Sequence, residues 1–109
     1  MYIHVTSKLD LSLVEPDNFR QFKVVVDADR KSIAEVRKAF SAAGEMADHE
    51  TCWVSQGWLM AHSGRSAAKD WLSGFAAMLD YAQKKGWIEP GTANIRAHVE
   101  WSADAGARP

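Results

Sequence analysis

The chain has 109 residues, of which 47% are hydrophobic and 25% are charged, and its formal net charge is -1. This balance excludes a disordered chain, which would be poor in aliphatic residues and would carry a large net charge. The mixed signs lack the basic stripe of a nucleic-acid-binding surface, so we expect no nucleic-acid partner.

The compartment is predicted from what the sequence lacks. No apolar run approaches the roughly 20 residues of a membrane span, and residues 1–10 have neither the basic nor the apolar region of a secretion signal. Cys52 is the one cysteine, which excludes an internal disulfide and a zinc site made of cysteines from one chain. We therefore predict a cytoplasmic protein without membrane attachment. One domain is expected over 1–101, with a loose polar tail over 102–109.

The first part of the chain alternates apolar and polar residues, as strands with one buried face do. From Ile3 to Leu13 the alternation predicts one long strand or two collinear strands, ended by turn formers at 15–18. Another strand is predicted over 21–27, and the two could pair as a hairpin.

Two amphipathic helices are predicted from apolar residues spaced three and four apart. The first follows Asp29, a plausible N-cap, and is closed by Gly44. The second covers 68–82 and is closed by Gly86, with Trp87 providing the hydrophobic contact of a Schellman motif.

The region between the helices, residues 51–62, contains strand formers interrupted by Gln56 and Gly57. We predict a tight hairpin there, with a single kinked strand as the alternative. A final strand is predicted over 95–101. The order β-β-α-β-β-α-β indicates an α+β fold, a ferredoxin-like two-layer sandwich whose mainly antiparallel sheet carries two helices on one face.

Strand parity predicts which residues lie on the face without helices, called the open face below. If Cys52 and Val54 point to the helices, the hairpin sends aromatic, methionine and histidine side chains to the open face. The predicted ligand or interface residues there are Trp53, Trp58, Met60, His62, His4 and Arg96. Because monomers seldom expose a large apolar patch, we predict a homodimer packed through this face, which resembles in architecture the dimeric α+β barrels.

The alternative is a small enzyme or ligand-binding protein, with a small apolar or aromatic molecule in a pocket between the subunits. His98 and Glu100 are its candidate acid-base pair and His62 a further catalytic candidate, because histidine titrates near neutrality. A plain polar strand face explains the same residues without catalysis. The segment 48–50 lacks metal-ligand spacing, and we predict neither a metal nor a cofactor.

Two further features have a structural explanation. Cys52 lies in a predicted strand and faces the helices, so we expect a buried and unreactive thiol. Ser63 or Ser66 can cap the second helix, and the segment between them lacks the glycine pattern of a phosphate-binding loop. The sequence alone identifies no reaction.

Overall fold

A computed structural model gives the fold and describes residues 1–65 and 67–102. Within these residues, the six strands are β1 (Tyr2–Val5), β2 (Leu11–Val14), β3 (Lys23–Val26), β4 (Gly44–Met46), β5 (Thr51–Val54) and β6 (Ile95–Trp101). The helices are α1 (Ile33–Phe40), α2 (Gln56–His62) and α3 (Lys69–Lys84), and a 3-10 turn at Arg30–Ser32 precedes α1. From residue 103 onward, the predicted tail lies outside the described residues.

The strands form one mixed sheet in the order β2-β1-β3-β6-β5-β4. β3 pairs in parallel with both β1 and β6, whereas the remaining neighbours are antiparallel. The sheet curls into a half-barrel. The α+β class is correct, but the ferredoxin-like, mainly antiparallel sandwich with two helices is wrong. Alternation along a strand reports which side is buried and carries no information on which strand lies next to it.

The N-terminal alternation forms a hairpin and neither one long strand nor two collinear ones. The chain reverses at Leu9, which has a φ of +66° and whose N–H donates to the Thr6 carbonyl at 2.8 Å. Ile3 and Leu13 then meet as cross-strand partners on one face. The cross-strand pairs join odd-numbered residues to odd-numbered residues and even-numbered to even-numbered ones. The returning strand therefore continues the alternation that one straight strand would show. β3 adds to β1 in parallel and is not its hairpin partner.

The predicted hairpin over 51–62 is also wrong, because its second half is helix α2. Ser55 is the N-cap of this helix, and its hydroxyl accepts a hydrogen bond from the Trp58 N–H at 3.2 Å. Trp58 and Leu59 are buried, at 9% and 0% exposure. A serine cap followed by two core residues outweighs the weak turn preference of Gln-Gly.

The two amphipathic helices predicted from the sequence are confirmed as α1 and α3. The Asp29 carboxylate accepts a hydrogen bond from the backbone two residues on, at 2.8 Å. After α3, Gly86 has a φ of +77° and the Trp87 N–H donates to the Ala82 carbonyl at 2.8 Å, which completes the Schellman motif. Gly44, in contrast, opens β4, where a Cβ would collide with a β5 carbonyl oxygen.

The core lies between one face of the sheet and the buried sides of the helices. On β6, buried and exposed residues alternate without interruption, as the sequence pattern predicts. Trp71 and Trp101 satisfy their indole N–H groups by donating to the carbonyls of Pro16 and His49, at 2.8 and 2.7 Å. Two large apolar side chains are thereby buried without an unpaired donor. None of the helices in the described ranges has the length and apolar character needed to cross a membrane.

Candidate functional site

The structure divides the predicted site residues between the open face of the sheet and helix α2. On the open face, the side chains opposite the core include Tyr2, His4, Lys23, Thr51, Trp53, Arg96, His98 and Glu100. Trp58, Met60 and His62 lie on α2 instead. The open face is therefore more polar than the hairpin register implied, because the aromatic and methionine side chains expected beside Trp53 are absent from it.

The His98–Glu100 pair is not assembled as an acid-base unit. The Glu100 carboxylate lies 3.3 Å from the ammonium group of Lys23, its diagonal neighbour on β3. No hydrogen bond joins Glu100 to His98 in the part of the chain that the structure describes. His98 instead has Lys23 and Thr51 as its register partners. Because no described carboxylate forms a hydrogen bond with its ring, the described residues supply His98 with no orienting group of an acid-base dyad.

His62 is engaged within its own helix. Its ring stacks on Trp58 with centroids 4.0 Å apart, and its Nδ1 lies 2.9 Å from the Trp58 carbonyl oxygen. Met60, on the same helix, is 36% exposed. His62 thus ends α2 with contacts inside its own helix. None of these contacts joins it to His98.

Metal and thiol chemistry find no support in the described residues. Residues 1–65 and 67–102 contain no group of three His, Cys, Asp or Glu side chains placed to hold a metal ion. Cys52 is free and buried, as the sequence predicts, and burial raises the pKa of its thiol to about 12. The thiolate, which is the reactive form, is therefore scarce at neutral pH.

Two adjoining cavities lie where β6 begins. The first, of about 380 Å³, is lined by Phe22, Glu50, Thr51, Trp87, Arg96, Ala97 and His98. The second, of about 310 Å³, is lined by Phe19, Arg20, Phe22, Met78, Tyr81, Ala82, Trp87, Ile95 and Arg96. Because they share Phe22, Trp87 and Arg96, we treat them as one site and call it the Trp87 groove.

Unequal strand lengths create the Trp87 groove. β3 pairs with β6 only from His98 onward, which leaves the first residues of β6 without a β3 neighbour. The segment after α3 occupies part of that space: the Arg96 N–H donates to the Trp87 carbonyl at 2.8 Å, and Ile88 forms a bridge with Ile95. The Schellman motif fixes Trp87 from the helix side. The main chain of Trp87 is thus held by hydrogen bonds on both sides, and its side chain lines the groove together with Phe22.

Two arginine side chains that have no partner among the described residues give the groove its charge. Among the five arginines in the described ranges, three have a protein partner: Arg30, Arg37 and Arg65. The guanidinium groups of Arg20 and Arg96 make no hydrogen bond or ion pair with another described residue, and both line the groove. Glu50, the acidic residue in the lining, already pairs with Arg30 at 3.0 Å. The groove therefore has an excess of positive charge.

Exposed aromatic rings form one wall of the groove. Tyr81 is 56% exposed and Trp87 is 37% exposed, and their rings meet edge to face at 5.8 Å between centroids. The Lys85 ammonium group lies 5.5 Å from the Tyr81 ring. Rings of this kind stack on planar ligands, while a guanidinium fork matches the geometry of a carboxylate.

Sequence reasoning identified Arg96 and His98 but missed Trp87, Phe22 and Arg20 as site residues. Trp87 is fully explained by its role in the helix stop, and an arginine without a partner is recognised only when its surroundings are known. No family model, curated protein or solved structure matches the chain. Its function therefore has to be inferred from its own geometry.

Proposed function

We propose that this domain binds a small aromatic or apolar carboxylate in the Trp87 groove. One observation carries the proposal: the two arginines without partners among the described residues both line a groove walled by exposed Trp87 and Tyr81. An aromatic ring would stack on the indole, and the carboxylate would accept hydrogen bonds from Arg96 and Arg20. The cavity volumes lie in the range of roughly 300–1,000 Å³ that small-molecule sites occupy.

Binding without catalysis fits the groove better than a reaction does. His98 lines it, but Glu100 is held by Lys23, and no other carboxylate of the described residues forms a hydrogen bond with the imidazole. The alternative prediction of an enzyme thereby loses its acid-base pair. Its predicted ligand, a small aromatic molecule, is retained. The groove also lies within one chain, so binding does not require a subunit interface. The cytoplasmic location and the homodimer through the open face stay predictions from the sequence.

The ligand class is tested with three probes of similar shape and different charge. Benzoate, benzyl alcohol and benzylamine are titrated into ¹⁵N-labelled protein, and the Trp87 indole and Arg96 amide signals are followed by NMR. We expect benzoate to bind with a dissociation constant in the millimolar range, about what a ligand of its size reaches. Benzyl alcohol should bind more weakly and benzylamine should leave these signals unmoved. Equal affinity for benzoate and benzylamine would refute the proposal.

The arginine contribution is tested with Arg96→Gln. A hydrogen bond to a charged group contributes about 1.5–3 kcal/mol, so the substitution should weaken benzoate binding by about tenfold or more. Binding of benzyl alcohol should stay unchanged, because stacking on Trp87 is intact. Lys8→Gln is the matched control, since it removes the same charge from the exposed β1–β2 turn. An unchanged benzoate affinity in Arg96→Gln would contradict the assigned role.

A further inference from the structure

The two edges of the sheet differ in how their outward main-chain groups are used. At the β4 edge, the Arg37 guanidinium donates to the carbonyls of Met46 and Ala47, at 3.0 and 2.7 Å. A charged side chain laid along an edge prevents another strand from pairing there. At the other edge, no segment within the described ranges pairs with β2 on its outer side, although residues of helix α2 lie close to this strand.

The hydrogen-bond pattern shows which residues of β2 face outward. The Asp27 N–H donates to the Val5 carbonyl, so the odd-numbered residues of β1 bond to the β3 side. The Thr6 N–H donates to the Asp10 carbonyl, so the even-numbered residues bond to the β2 side. In an antiparallel pair the two kinds of residue alternate, and the register then directs the main-chain groups of Leu11 and Leu13 away from β1.

We propose that β2 pairs with β2 of a second copy of this chain, antiparallel across a twofold axis at Ser12. In this register Leu11 lies opposite Leu13 of the partner subunit, and both leucines bond through the N–H and C=O groups that face outward. Because every second residue directs its main-chain groups outward, a copy of the strand that runs in the opposite direction places its own groups opposite them. A twofold interface requires this self-complementarity.

Side chains favour the same pairing. β2 reads Leu-Ser-Leu-Val and carries neither a charge nor a proline, so no like charges meet and no donor is missing. Leu11 and Leu13 are only half-buried against the core, and the pairing sets each beside a leucine of the partner strand. Ser12, which is exposed, meets its own copy on the open face. This interface does not depend on the Trp87 groove, whose lining contains no residue of β1 or β2.

Amide hydrogen exchange tests the pairing directly. The Leu11 and Leu13 amides should exchange at least tenfold more slowly at about 1 mM protein than at about 10 μM, where the dimer dissociates. The exchange rates of the Ser12 and Val14 amides, which are bonded to β1, should not change. Sedimentation velocity at both concentrations gives the oligomeric state. Protection at both concentrations with a dimer throughout would also support the proposal. A monomer at 1 mM, or a dimer with unprotected Leu11 and Leu13 amides, would overturn it, and so would protection that arises only with an added protein.

Charge at the axis gives a second test that leaves the monomer intact. Ser12→Lys and Ser12→Glu each place like charges directly opposite, and each should raise the dimer dissociation constant by up to about fivefold. An equimolar mixture of the two variants should restore the wild-type affinity, because the charges then attract. Ser73→Lys, at an exposed position on α3, is the control and should change nothing. Equal dissociation constants for both variants, their mixture and the wild type would contradict the twofold register.

Discussion

Replacing Trp71 with Phe should destabilise the fold by about 2–3 kcal/mol. Trp71 is 1% exposed, stacks on Phe75 at 4.8 Å between ring centroids, and donates its indole N–H to the Pro16 carbonyl at 2.8 Å. The smaller ring gives up about 40 Å² of buried apolar area, or about 1 kcal/mol at ~25 cal/mol per Å². The lost hydrogen bond and the carbonyl left without a donor add about 1–2 kcal/mol.

Urea unfolding measures this loss as a shift of the midpoint at constant slope, which identifies a change in stability rather than in the compactness of the unfolded chain. Trp87→Phe is the matched control, because Trp87 is partly exposed and its indole N–H has no partner among the described residues. We expect the control to change the unfolding free energy by less than about 0.5 kcal/mol, as exposed substitutions usually do. A Trp71→Phe variant as stable as this control would refute the assigned roles of burial and the Pro16 hydrogen bond.

Three further predictions concern Gly44 and Cys52. Gly44→Ala should cost more than about 3 kcal/mol in urea unfolding, because the new Cβ meets the Trp53 carbonyl oxygen, whereas Gly86→Ala meets nothing and should cost only about 1 kcal/mol for its positive φ. The Cys52 thiol should not react with Ellman's reagent at pH 8 until urea unfolds the chain; fast reaction of the native protein would contradict its burial. Since burial raises the pKa of Cys52 from 9.0 to about 12, the unfolded chain ionises first, and stability should fall as the pH rises from 9 towards 12.

Periodicity and capping predicted the elements whose conformation is decided locally. The apolar stripe of α3, the Gly86 stop with Trp87 and the alternation of β6 all follow from spacing along the chain. Periodicity failed where two arrangements give the same pattern. The β1–β2 return preserves the parity of a straight strand, and α2 contains a Gln-Gly pair that also suits a turn. The parallel neighbours of β3 depend on contacts distant in sequence, which no local pattern encodes.

The candidate site was predictable only in part for the same reason. Parity assigned Arg96 and His98 to one face of β6, and the structure has both in the Trp87 groove. Whether a charged side chain has a partner depends on residues far away along the chain, as the Lys23–Glu100 pair illustrates. The sequence therefore suggested residue types for the site, whereas the fold was needed to show that Arg20 and Arg96 have no partner among the described residues.

The position of β6 has a consequence for synthesis on the ribosome. β6 follows all the other strands of the described residues along the chain, yet it lies between β3 and β5 and joins the β2-β1-β3 group to the β5-β4 pair. Until residue 101 has left the exit tunnel, these two groups have no common strand, and β3 and β5 each present a bare inner edge. Such edges favour aggregation, and pairings of long sequence separation fold slowly. The nascent chain is therefore vulnerable until residue 101 has emerged and β6 can join the two groups.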